Sequence, residues 1–424
     1  MKSSFDCAKE IDMYHIKLHD YVPEPQAATS DRIVAAHYYA AWKKGAAEIH
    51  GGFDDLHGYP ERTPLMGYYD EENPEVCDWE IKWALEHGIN CFIYCWYRRL
   101  EHMGKPVKAE NLRCGHCIHD ALFGAKYGDM MKFAIMFENS PRWGTTDEND
   151  IIENLMPFWI ENYFSRSNYL KIDNKPVLFI FYPRRLEEVF GSAEKQKKVF
   201  DSCREYARKH GFDGMIFACC DTKPTKEAND DAIARGYDFR FGYNSGYAPK
   251  EHYPPTKSII EGQISLLEKR LEIDPERFIP TVSCFSDPAP RTTRHWIDMG
   301  YNFHKTKMWY LEPDDYRKCL KRMKEVTDKL PDGAYGKRIM MIDNWNEWDE
   351  GHYVAPSHEF GFRYLQAIRE ELTARDNLPD YRMPQDIGLS EGLNTSWKIP
   401  DLEKISMERL DKEKVRSETI KNFL

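Results

Sequence analysis

A dense run of acids, amides and tryptophans occupies residues 343–351 (Asp-Asn-Trp-Asn-Glu-Trp-Asp-Glu-Gly). Its two glutamates, Glu347 and Glu350, are spaced so that their carboxyl groups can approach to about 5–10 Å, a range that covers glycosidases. Glycoside hydrolysis needs one carboxyl that donates a proton to the leaving oxygen and another that acts at the sugar. Mutual repulsion and the neighbouring Trp348 favour a raised pKa for one of them. A solvated acidic loop is the alternative, but it has no need of Trp and Asn between the acids, so the pattern favours a catalytic pair.

The elements that would hold this pair are apolar segments of strand length alternating with amphipathic helical segments. Strands are predicted over Ile33–Trp42, Ile89–Tyr97, Phe133–Phe137, Pro176–Tyr182, Met215–Cys220, Tyr237–Tyr243, Phe278–Phe285 and Arg338–Trp345. Helices are predicted from Asn73 to Gly88, and near Asp147–Phe164, Ser192–His210, Pro313–Lys329 and Phe360–Leu372. About eight strands mostly separated by helices predict a (β/α)8 barrel of the TIM type. A doubly wound sheet is the alternative, but no G-x-G-x-x-G turn follows any strand.

In a (β/α) barrel, catalysis takes place at the C-terminal ends of the strands. Those ends carry aromatic, amide and charged residues here, while the strands themselves are apolar. Sugar rings stack on Trp and Tyr, and their hydroxyls bond to acids, amides and Arg, so this set suits a polyhydroxylated ligand. We predict substrate contacts for Tyr39, Trp42, Trp96, Tyr97, Glu138, Asn139, Arg142, Tyr182, Tyr243, Asn346 and Trp348, and also for Tyr69 and His352. For His352 a structural hydrogen bond is an equal alternative.

Six sequence blocks resemble those of glycoside hydrolase family 99-like proteins, a grouping that includes the WbsX domain, often described as a glycosyltransferase. They are Pro-Leu-Met-Gly-Tyr-Tyr-Asp over 64–70, Asn-Pro-Glu-Val over 73–76, Lys-Trp-Ala over 82–84, Glu-His-Gly-Ile over 86–89, Cys-Trp-Tyr over 95–97 and Trp-Asn-Glu-Trp-Asp-Glu-Gly-His-Tyr over 345–353. The similarity spans roughly Ile33 to Leu372, and the last block is the most specific.

The resemblance implies a (β/α) barrel that cleaves α-mannosides with retention, through a 1,2-anhydro sugar. It implies that Glu347 is the base for the sugar 2-hydroxyl and that Glu350 is the acid/base at the glycosidic oxygen. Glu138 matches a substrate-binding glutamate. The chain departs from the family pattern after the last block, where Val-Ala-Pro over 354–356 stands in place of Ile-Glu-Pro. The missing acid bears on the identity of the substrate more than on the class of reaction.

A second motif, Cys114-Gly115-His116-Cys117, has the spacing of disulfide exchangers. Such motifs begin a helix in a small thioredoxin fold, which nothing else in this sequence indicates. With His119 the two cysteines could hold zinc, but no second C-x-x-C or H-x-x-x-H completes four ligands. We therefore interpret the cysteines as incidental and predict no metal and no cofactor.

Composition narrows the partners of the protein. The 424 residues carry a formal net charge of -11, which argues against nucleic acid and anionic membranes as main partners. The longest dense apolar stretch, Cys91–Tyr97, is far shorter than the roughly 20 residues that span a bilayer. The eleven cysteines, several of them in apolar runs, indicate reduced thiols. The start lacks an apolar signal region, so we expect a cytoplasmic protein, or a periplasmic or secreted one if the chain was trimmed.

We expect an N-terminal extension over 1–30, the catalytic barrel over 31–375 and a C-terminal extension over 376–424 packed on the barrel. The predicted function is hydrolysis of an α-glycosidic bond in an oligosaccharide or polysaccharide. One alternative is a glycosyltransferase of surface-polysaccharide synthesis, but the sequence has no D-x-D pair; the nearest acidic pair is Asp230-Asp231. The other is a non-catalytic carbohydrate-binding barrel, which the presence of both Glu347 and Glu350 disfavours. The sugar, the linkage, endo or exo action and the oligomeric state stay open.

Overall fold

Eight parallel strands form a nearly closed barrel in the computed structural model, which describes residues 21–45, 52–141, 144–291 and 307–387 with Glu408, Lys412 and Lys414. The strands are β1 (Ile33–Tyr38), β2 (Cys91–Arg98), β3 (Lys132–Glu138), β4 (Lys175–Ile180), β5 (Ile216–Cys220), β6 (Phe239–Phe241), β7 (Thr281–Val282) and β8 (Ile339–Ile342). Strands β1 to β6 pair in chain order, β8 pairs with β1, and β7 pairs with β8. A parallel bridge between Arg240 and Phe278 brings β6 next to the segment that leads into β7. The predicted (β/α)8 barrel is confirmed, and the doubly wound sheet is excluded.

Helices surround the barrel. They are α1 (Pro74–Glu86), α2 (Pro183–Phe190), α3 (Ala193–Lys209), α4 (Lys226–Ala234), α5 (Thr256–Ile273), α6 (Pro313–Thr327) and α7 (Arg363–Leu372), with a short turn at Tyr335–Arg338. A helical segment with α and π turns covers 148–164 between β3 and β4. The start of α1 is as predicted: Asn73 accepts a hydrogen bond from the backbone N–H of Glu75, and Pro74 is the first helical residue. Among the described residues, no helix is long and apolar enough to cross a membrane.

The strand predicted over Phe278–Phe285 is broken into two pieces. Only Thr281–Val282 belongs to the barrel, while Phe285–Ser286 pairs in antiparallel fashion with Trp309–Tyr310. Pro280 has no backbone N–H and therefore interrupts the ladder before β7. The chain then leaves the barrel wall after Val282, and the loop that follows carries Asp287 and Arg291 to the C-terminal end of the barrel.

Strand alternation decides which residues face the barrel interior. On β1, His37 lies inside, with its ring centroid 4.9 Å from that of Tyr243. The next residue, Tyr38, points outward and donates a hydrogen bond to Glu80 of α1 at 2.8 Å. The register of β2 and β3 runs from Cys91 opposite Lys132 to Tyr97 opposite Glu138, so the last two side chains end side by side.

Residues beyond the predicted barrel contact it at several points. The side-chain amide of Asn377 donates to the carbonyl oxygens of Gln26 at 2.6 Å and Glu86 at 3.0 Å. Lys412 is buried, and its ammonium group donates to the carbonyl oxygens of Asp55 at 2.5 Å and His57 at 3.1 Å. Asn377 thus joins the segment after α7 to the residues before β1 and to the end of α1, and Lys412 contacts the loop after β1. The boundaries of the three predicted segments stay a prediction.

Candidate active site

A small hairpin after β8 carries the predicted catalytic residues. Asn346–Glu347 and His352–Tyr353 pair in antiparallel fashion, with Glu347 opposite His352. Gly351 makes the turn with a φ of 66°, and a Cβ at this position would lie 2.8 Å from the backbone nitrogen of Asp287. Only glycine therefore permits both the left-handed conformation and the close approach of the 287 loop. The hairpin is held against that loop by the N–H of Asp287, which donates to the carbonyl of Glu350 at 2.9 Å.

Arg291 and three carboxylates, those of Glu347, Asp349 and Glu350, form what we call the carboxylate cluster. The Arg291 guanidinium binds Asp349 through two bonds, Nε to Oδ2 at 2.8 Å and Nη2 to Oδ1 at 3.1 Å. Its Nη2 lies 3.3 Å from Oε1 of Glu347, and its Nη1 bonds to Glu350. One buried guanidinium therefore contacts both predicted catalytic glutamates. Both carboxyl groups therefore lie at the same end of the barrel, held by the same side chain.

Glu347 is the more enclosed of the two glutamates, at 4% exposure. Its Oε2 accepts a hydrogen bond from the Tyr243 hydroxyl at 2.5 Å and another from the Asn344 amide. Burial raises the pKa of Glu347 above its usual value, while Arg291 and the Tyr243 hydrogen bond act in the opposite direction. The side chain of Glu350 is 21% exposed and therefore more open to solvent.

His352 lies beside Glu347 across the hairpin. Its Nδ1 is 3.0 Å from both carboxylate oxygens of Asp343. Burial acts to lower the pKa of His352, but the negative charges of Asp343 and Glu347 outweigh it and raise the pKa above its usual value. The bond to Asp343 thus fixes the imidazole next to the carboxylate cluster. It is the structural hydrogen bond that the sequence analysis considered for His352.

Tyr39, Tyr97 and Glu138 come together at the C-terminal ends of β1, β2 and β3. Burial raises the pKa of Tyr97 well above its usual value, and Tyr39 and Glu138 are among the neighbours that add to this. Glu138 accepts a hydrogen bond from the Ser140 hydroxyl at 3.1 Å. The amide oxygen of Asn346 accepts from the backbone N–H of Tyr39 at 2.8 Å, so Asn346 ties the end of β1 to the hairpin.

Glu138 and Glu347 share a neighbour, Cys95, inside the barrel. Burial raises the pKa of Cys95 well above its usual value, and Glu347 and Glu138 both add to the effect. Cys95 is two residues before Tyr97 on β2 and faces the same side of the sheet. Glu138 and Glu347 thus lie at the same end of the barrel.

Three other predicted contact residues are buried and support neighbouring groups. Trp348 is 1% exposed and donates to the Tyr69 hydroxyl at 3.2 Å. Trp42 is fully buried, and its ring lies 4.7 Å from that of Phe53. These side chains form the packing behind the hairpin, and a substrate contact for them stays a prediction.

Trp96 needs a correction. The sequence analysis placed it with Tyr97 among the substrate contacts, but adjacent strand residues face opposite sides of a sheet. Its indole N–H donates to the Tyr163 hydroxyl at 3.0 Å, and its ring packs 5.7 Å from that of Trp159. Trp96 therefore belongs to the layer between the barrel and the helical segment over 148–164.

Two further predicted residues, Asn139 and Tyr182, follow the ends of β3 and β4. The Asn139 side chain bonds to the backbone of Tyr182 in both directions, at 2.9 Å each. Asn139 is itself fully buried, whereas Tyr182 is 45% exposed. Asn139 therefore positions Tyr182. Arg142, also predicted as a substrate contact, lies outside the described residues.

The C-x-x-C motif lies near the site, and both of its cysteines are buried. Cys117 donates to the carbonyl of Cys114 at 3.1 Å, and burial raises the pKa of Cys117 well above its usual value. A disulfide exchanger needs the opposite shift, because the thiolate is the nucleophile. His116 bonds to Glu71 at 2.6 Å and His119 to Tyr163 at 2.8 Å. In the part of the chain that the structure describes, no three potential ligands gather to hold a metal ion.

Sequence reasoning missed Arg291, which is the centre of the carboxylate cluster. It follows two prolines in a loop, at a spacing that marks no known motif. A charged residue six positions beyond the end of the predicted strand Phe278–Phe285 is the one signal that could have found it. Asp343 was also missed as a partner of His352, because the bond depends on the hairpin that folds 352 back toward β8.

The sequence model of the WbsX glycosyltransferase family matches residues 52–368. The chain belongs to this family. An uncharacterized protein, WxcX, from two strains of Xanthomonas campestris pv. campestris is 21% identical in an alignment of 358 positions that covers 79% of this chain and 47% of the relative. The WbsX-family chain thus spans about half the length of the curated relatives it matches.

Solved structures resemble this WbsX-family barrel. The GH99 endo-α-mannosidase from Bacteroides thetaiotaomicron has a TM-score of 0.53 at 17% identity, covering 81% of this chain and 97% of that one. A glycoside hydrolase-like protein has a TM-score of 0.55 at 14% identity, covering 84% and 98%. At these identities the likeness shows the fold, which is the fold of GH99 proteins.

Proposed function

We propose that this protein hydrolyses an α-glycosidic bond, mannoside-like, in a complex glycan or polysaccharide. The observation that carries the proposal is the carboxylate cluster, in which one buried guanidinium contacts both Glu347 and Glu350 at the C-terminal end of a barrel. Glycoside hydrolysis needs two carboxyl groups that can act on the same glycosidic bond. The GH99 fold supports the same class of reaction.

Glu347 acts as the base at the sugar in this proposal. A carboxylate with a raised pKa holds a proton more tightly, so it removes one from a hydroxyl more readily than an exposed glutamate. It accepts the proton of the sugar 2-hydroxyl, and the 2-oxygen forms a bond to the anomeric carbon as the glycosidic bond breaks. Tyr243 and Asn344 hold the Oε2 atom in place.

Glu350 acts at the glycosidic oxygen. It donates its proton to that oxygen as the bond breaks, and then takes a proton from the water that opens the 1,2-anhydro sugar. Glu347 returns its proton to the 2-oxygen in this second step, which gives retention overall. Because Arg291 keeps two bonds to Asp349, the guanidinium stays compensated when Glu350 takes up a proton.

A glycosyltransferase is the second candidate, favoured by the description of the matching family. A nucleotide-sugar transferase needs a phosphate- or metal-binding element, and the sequence has neither a D-x-D pair nor a Gly-rich phosphate loop. Turnover of a nucleotide sugar, or a thermal shift with a nucleoside diphosphate, would favour the transferase over the hydrolase.

The test of the proposal varies the leaving group. General acid assistance contributes roughly 10²–10⁴-fold, and an activated aryl or fluoride leaving group needs little of it. Glu350→Gln should therefore lose most activity on a natural oligosaccharide but keep much of the first step on a dinitrophenyl or fluoride glycoside. Glu347 acts at the sugar ring and not at the leaving group, so Glu347→Gln should be slow on both substrates.

Two controls complete this experiment. Glu272→Gln, on the exposed surface of α5, should leave both activities unchanged. A substrate without the 2-hydroxyl should not be turned over by the wild-type protein, because the internal nucleophile is missing. Rescue of Glu347→Gln by a better leaving group would reverse the two roles, and full activity of both variants would refute the site.

A further inference from the structure

A cleft of about 620 Å³ opens where β4 and β5 end, on the same face of the barrel as the carboxylate cluster. Its volume lies in the range of small-molecule sites, about 300–1,000 Å³. Phe181 and Tyr182 form one part of its lining, and Arg184, Asp221 and Lys223 form another. The proposed mechanism uses none of these residues.

The cleft adjoins the catalytic residues through one aromatic contact. The Phe181 ring lies 5.4 Å from the ring of Tyr243, edge to face. The hydroxyl of Tyr243 is in turn 2.5 Å from Glu347. A glycan with its scissile bond at Glu347 can therefore extend past Tyr243 into the cleft.

Tyr182 gives the cleft a fixed aromatic surface. Its ring is 45% exposed, yet its backbone is bonded at both N–H and carbonyl to the buried Asn139. Its ring centroid lies 4.9 Å from that of Phe181, edge to face. An exposed ring on a fixed backbone, at the end of a barrel strand, suits the apolar face of a sugar.

Three cationic and two anionic side chains line the cleft, and both carboxylates are engaged by arginines. Glu188 is 63% exposed but is paired with Arg185 at 3.0 Å. Asp221 is engaged by the buried Arg240 at 3.3 Å, and it also accepts the backbone N–H of Lys223 at 2.8 Å. Arg184 bonds to Asp231 at 2.7 Å but keeps 57% of its side chain exposed. The Lys223 ammonium group is exposed, and no carboxylate of the described residues lies within ion-pair distance of it.

We propose that this cleft binds an anionic sugar residue of the glycan substrate, with its ring on Tyr182 and its acidic group at Lys223 and Arg184. The inference rests on the proposed function, because it places the acidic sugar on the same glycan that Glu347 and Glu350 cleave. The shared chemistry of the ligand is a negatively charged group on a sugar ring, either a carboxylate or a sulfate ester.

The experiment measures binding, so that it does not depend on turnover. The Glu347→Gln protein, shown to be folded by thermal unfolding, is titrated by calorimetry with a tetrasaccharide that contains one glucuronate. The carboxyl-reduced form of the same tetrasaccharide is the neutral counterpart, and a sulfated and desulfated pair distinguishes sulfate from carboxylate. We expect the acidic member of one pair to bind at least fivefold more tightly than its neutral counterpart.

Matched variants assign the preference to the cleft. Lys223→Met should abolish most of the difference between acidic and neutral ligands. Lys226→Met removes the same charge three positions away, where the side chain bonds to Asp230 and lies outside the cleft, and it should keep the difference. Tyr182→Ala should weaken binding of acidic and neutral ligands alike, at least fivefold, and Tyr182→Phe should restore it.

Equal affinity for both members of each pair, or equal effects of Lys223→Met and Lys226→Met, would overturn the inference. These results are distinct from a failure of the proposed function. If the wild-type protein hydrolyses neutral glycosides but shows no acidic preference, only the cleft assignment fails. If acidic ligands bind through Lys223 but no glycoside is cleaved, the cleft stands and the hydrolase proposal fails.

Discussion

Glu347, which belongs to the 343–351 motif, and Glu80, which contacts that motif, are both buried but differ in what surrounds them. Glu80 of α1 is 1% exposed and accepts hydrogen bonds from the Tyr38 hydroxyl at 2.8 Å and the Trp345 indole at 3.0 Å. Burial raises the pKa of Glu80 to about 8, and the nearby carboxylate of Glu71 adds to the shift. Glu347 is similarly buried, but Arg291 faces it.

Burial without a neighbouring cation favours the protonated form of a glutamate, which then serves as a hydrogen-bonding group in the packing. Glu80 has only neutral donors, so it keeps its proton at neutral pH and holds Trp345 in place. Glu347 has a cation that compensates its charge, so it can lose its proton and act as a base. The two side chains are linked through the same motif, since Trp345 precedes Glu347 by two residues.

The largest expected effect comes from removing the cation that distinguishes the two glutamates. Arg291→Met leaves three carboxylates without their shared partner, and we expect glycosidase activity to fall on the order of 10²–10³-fold, as when a preorganised charge-stabilising group is removed. The measurement is kcat/KM against pH. Without the cation the pKa of Glu347 rises, so the acid limb of the profile should move to higher pH.

A control is needed because breaking a buried ion pair costs about 3–5 kcal/mol of stability. Arg291→Lys keeps the charge and should restore part of the activity and the original acid limb. If Arg291→Met folds and retains the wild-type pH profile, the cation does not tune Glu347 and the comparison with Glu80 breaks down.

A smaller effect is expected from removing the Tyr243 hydroxyl, the neutral hydrogen-bond donor to Glu347. The Tyr243 hydroxyl stabilises the carboxylate form, so Tyr243→Phe should raise the pKa of Glu347 further. A base must be deprotonated, so activity is lost as pH falls through that pKa, and the acid limb should shift upward. A hydrogen bond to a charged group contributes about 1.5–3 kcal/mol, which predicts a loss of roughly 10–100-fold in kcat/KM. An unchanged acid limb would show that another group controls it.

Glu80→Gln should change stability more than activity. Between its usual pKa of 4.5 and the folded value of about 8, the unfolded chain loses the Glu80 proton while the folded protein keeps it. The free energy of unfolding of the wild-type protein therefore falls as pH rises through this window. Glutamine has no proton to lose, so the loss of Tm between pH 5 and 8 should shrink by a few degrees, as measured by thermal unfolding. A pH dependence equal to that of the wild type would contradict the raised pKa.

The smallest effect is expected at the other motif that sequence analysis singled out. Changing both Cys114 and Cys117 to Ser should leave glycosidase activity within a few-fold, because burial raises the pKa of Cys117 and no metal site forms around the two residues in the described part of the chain. Activity and metal content of the purified double variant are the measurements. Complete loss of activity with an intact fold would reveal a role for the thiols.

The barrel and the two glutamates of the carboxylate cluster could be predicted from the sequence because the signals for them are local. Strand length, apolar runs and the Asn73–Pro74 start of α1 are local signals, and each follows from backbone chemistry within a few residues. The ends of the strands can be predicted in the same way, and this placed Tyr243 and Glu138 among the predicted substrate contacts. The prediction that both Trp96 and Tyr97 contact substrate was wrong for Trp96, because two adjacent strand residues face opposite sides of the sheet.

The sequence by itself determined the alternation of strands and helices, the family, and the presence of two glutamates three residues apart after the last strand, because these are properties of neighbouring residues. Only the tertiary structure decided what surrounds each acid. Arg291 precedes Glu347 by more than fifty residues, and it meets the hairpin because the chain leaves the barrel after β7. Burial and the nearest charge set a pKa, and both depend on residues brought together by folding.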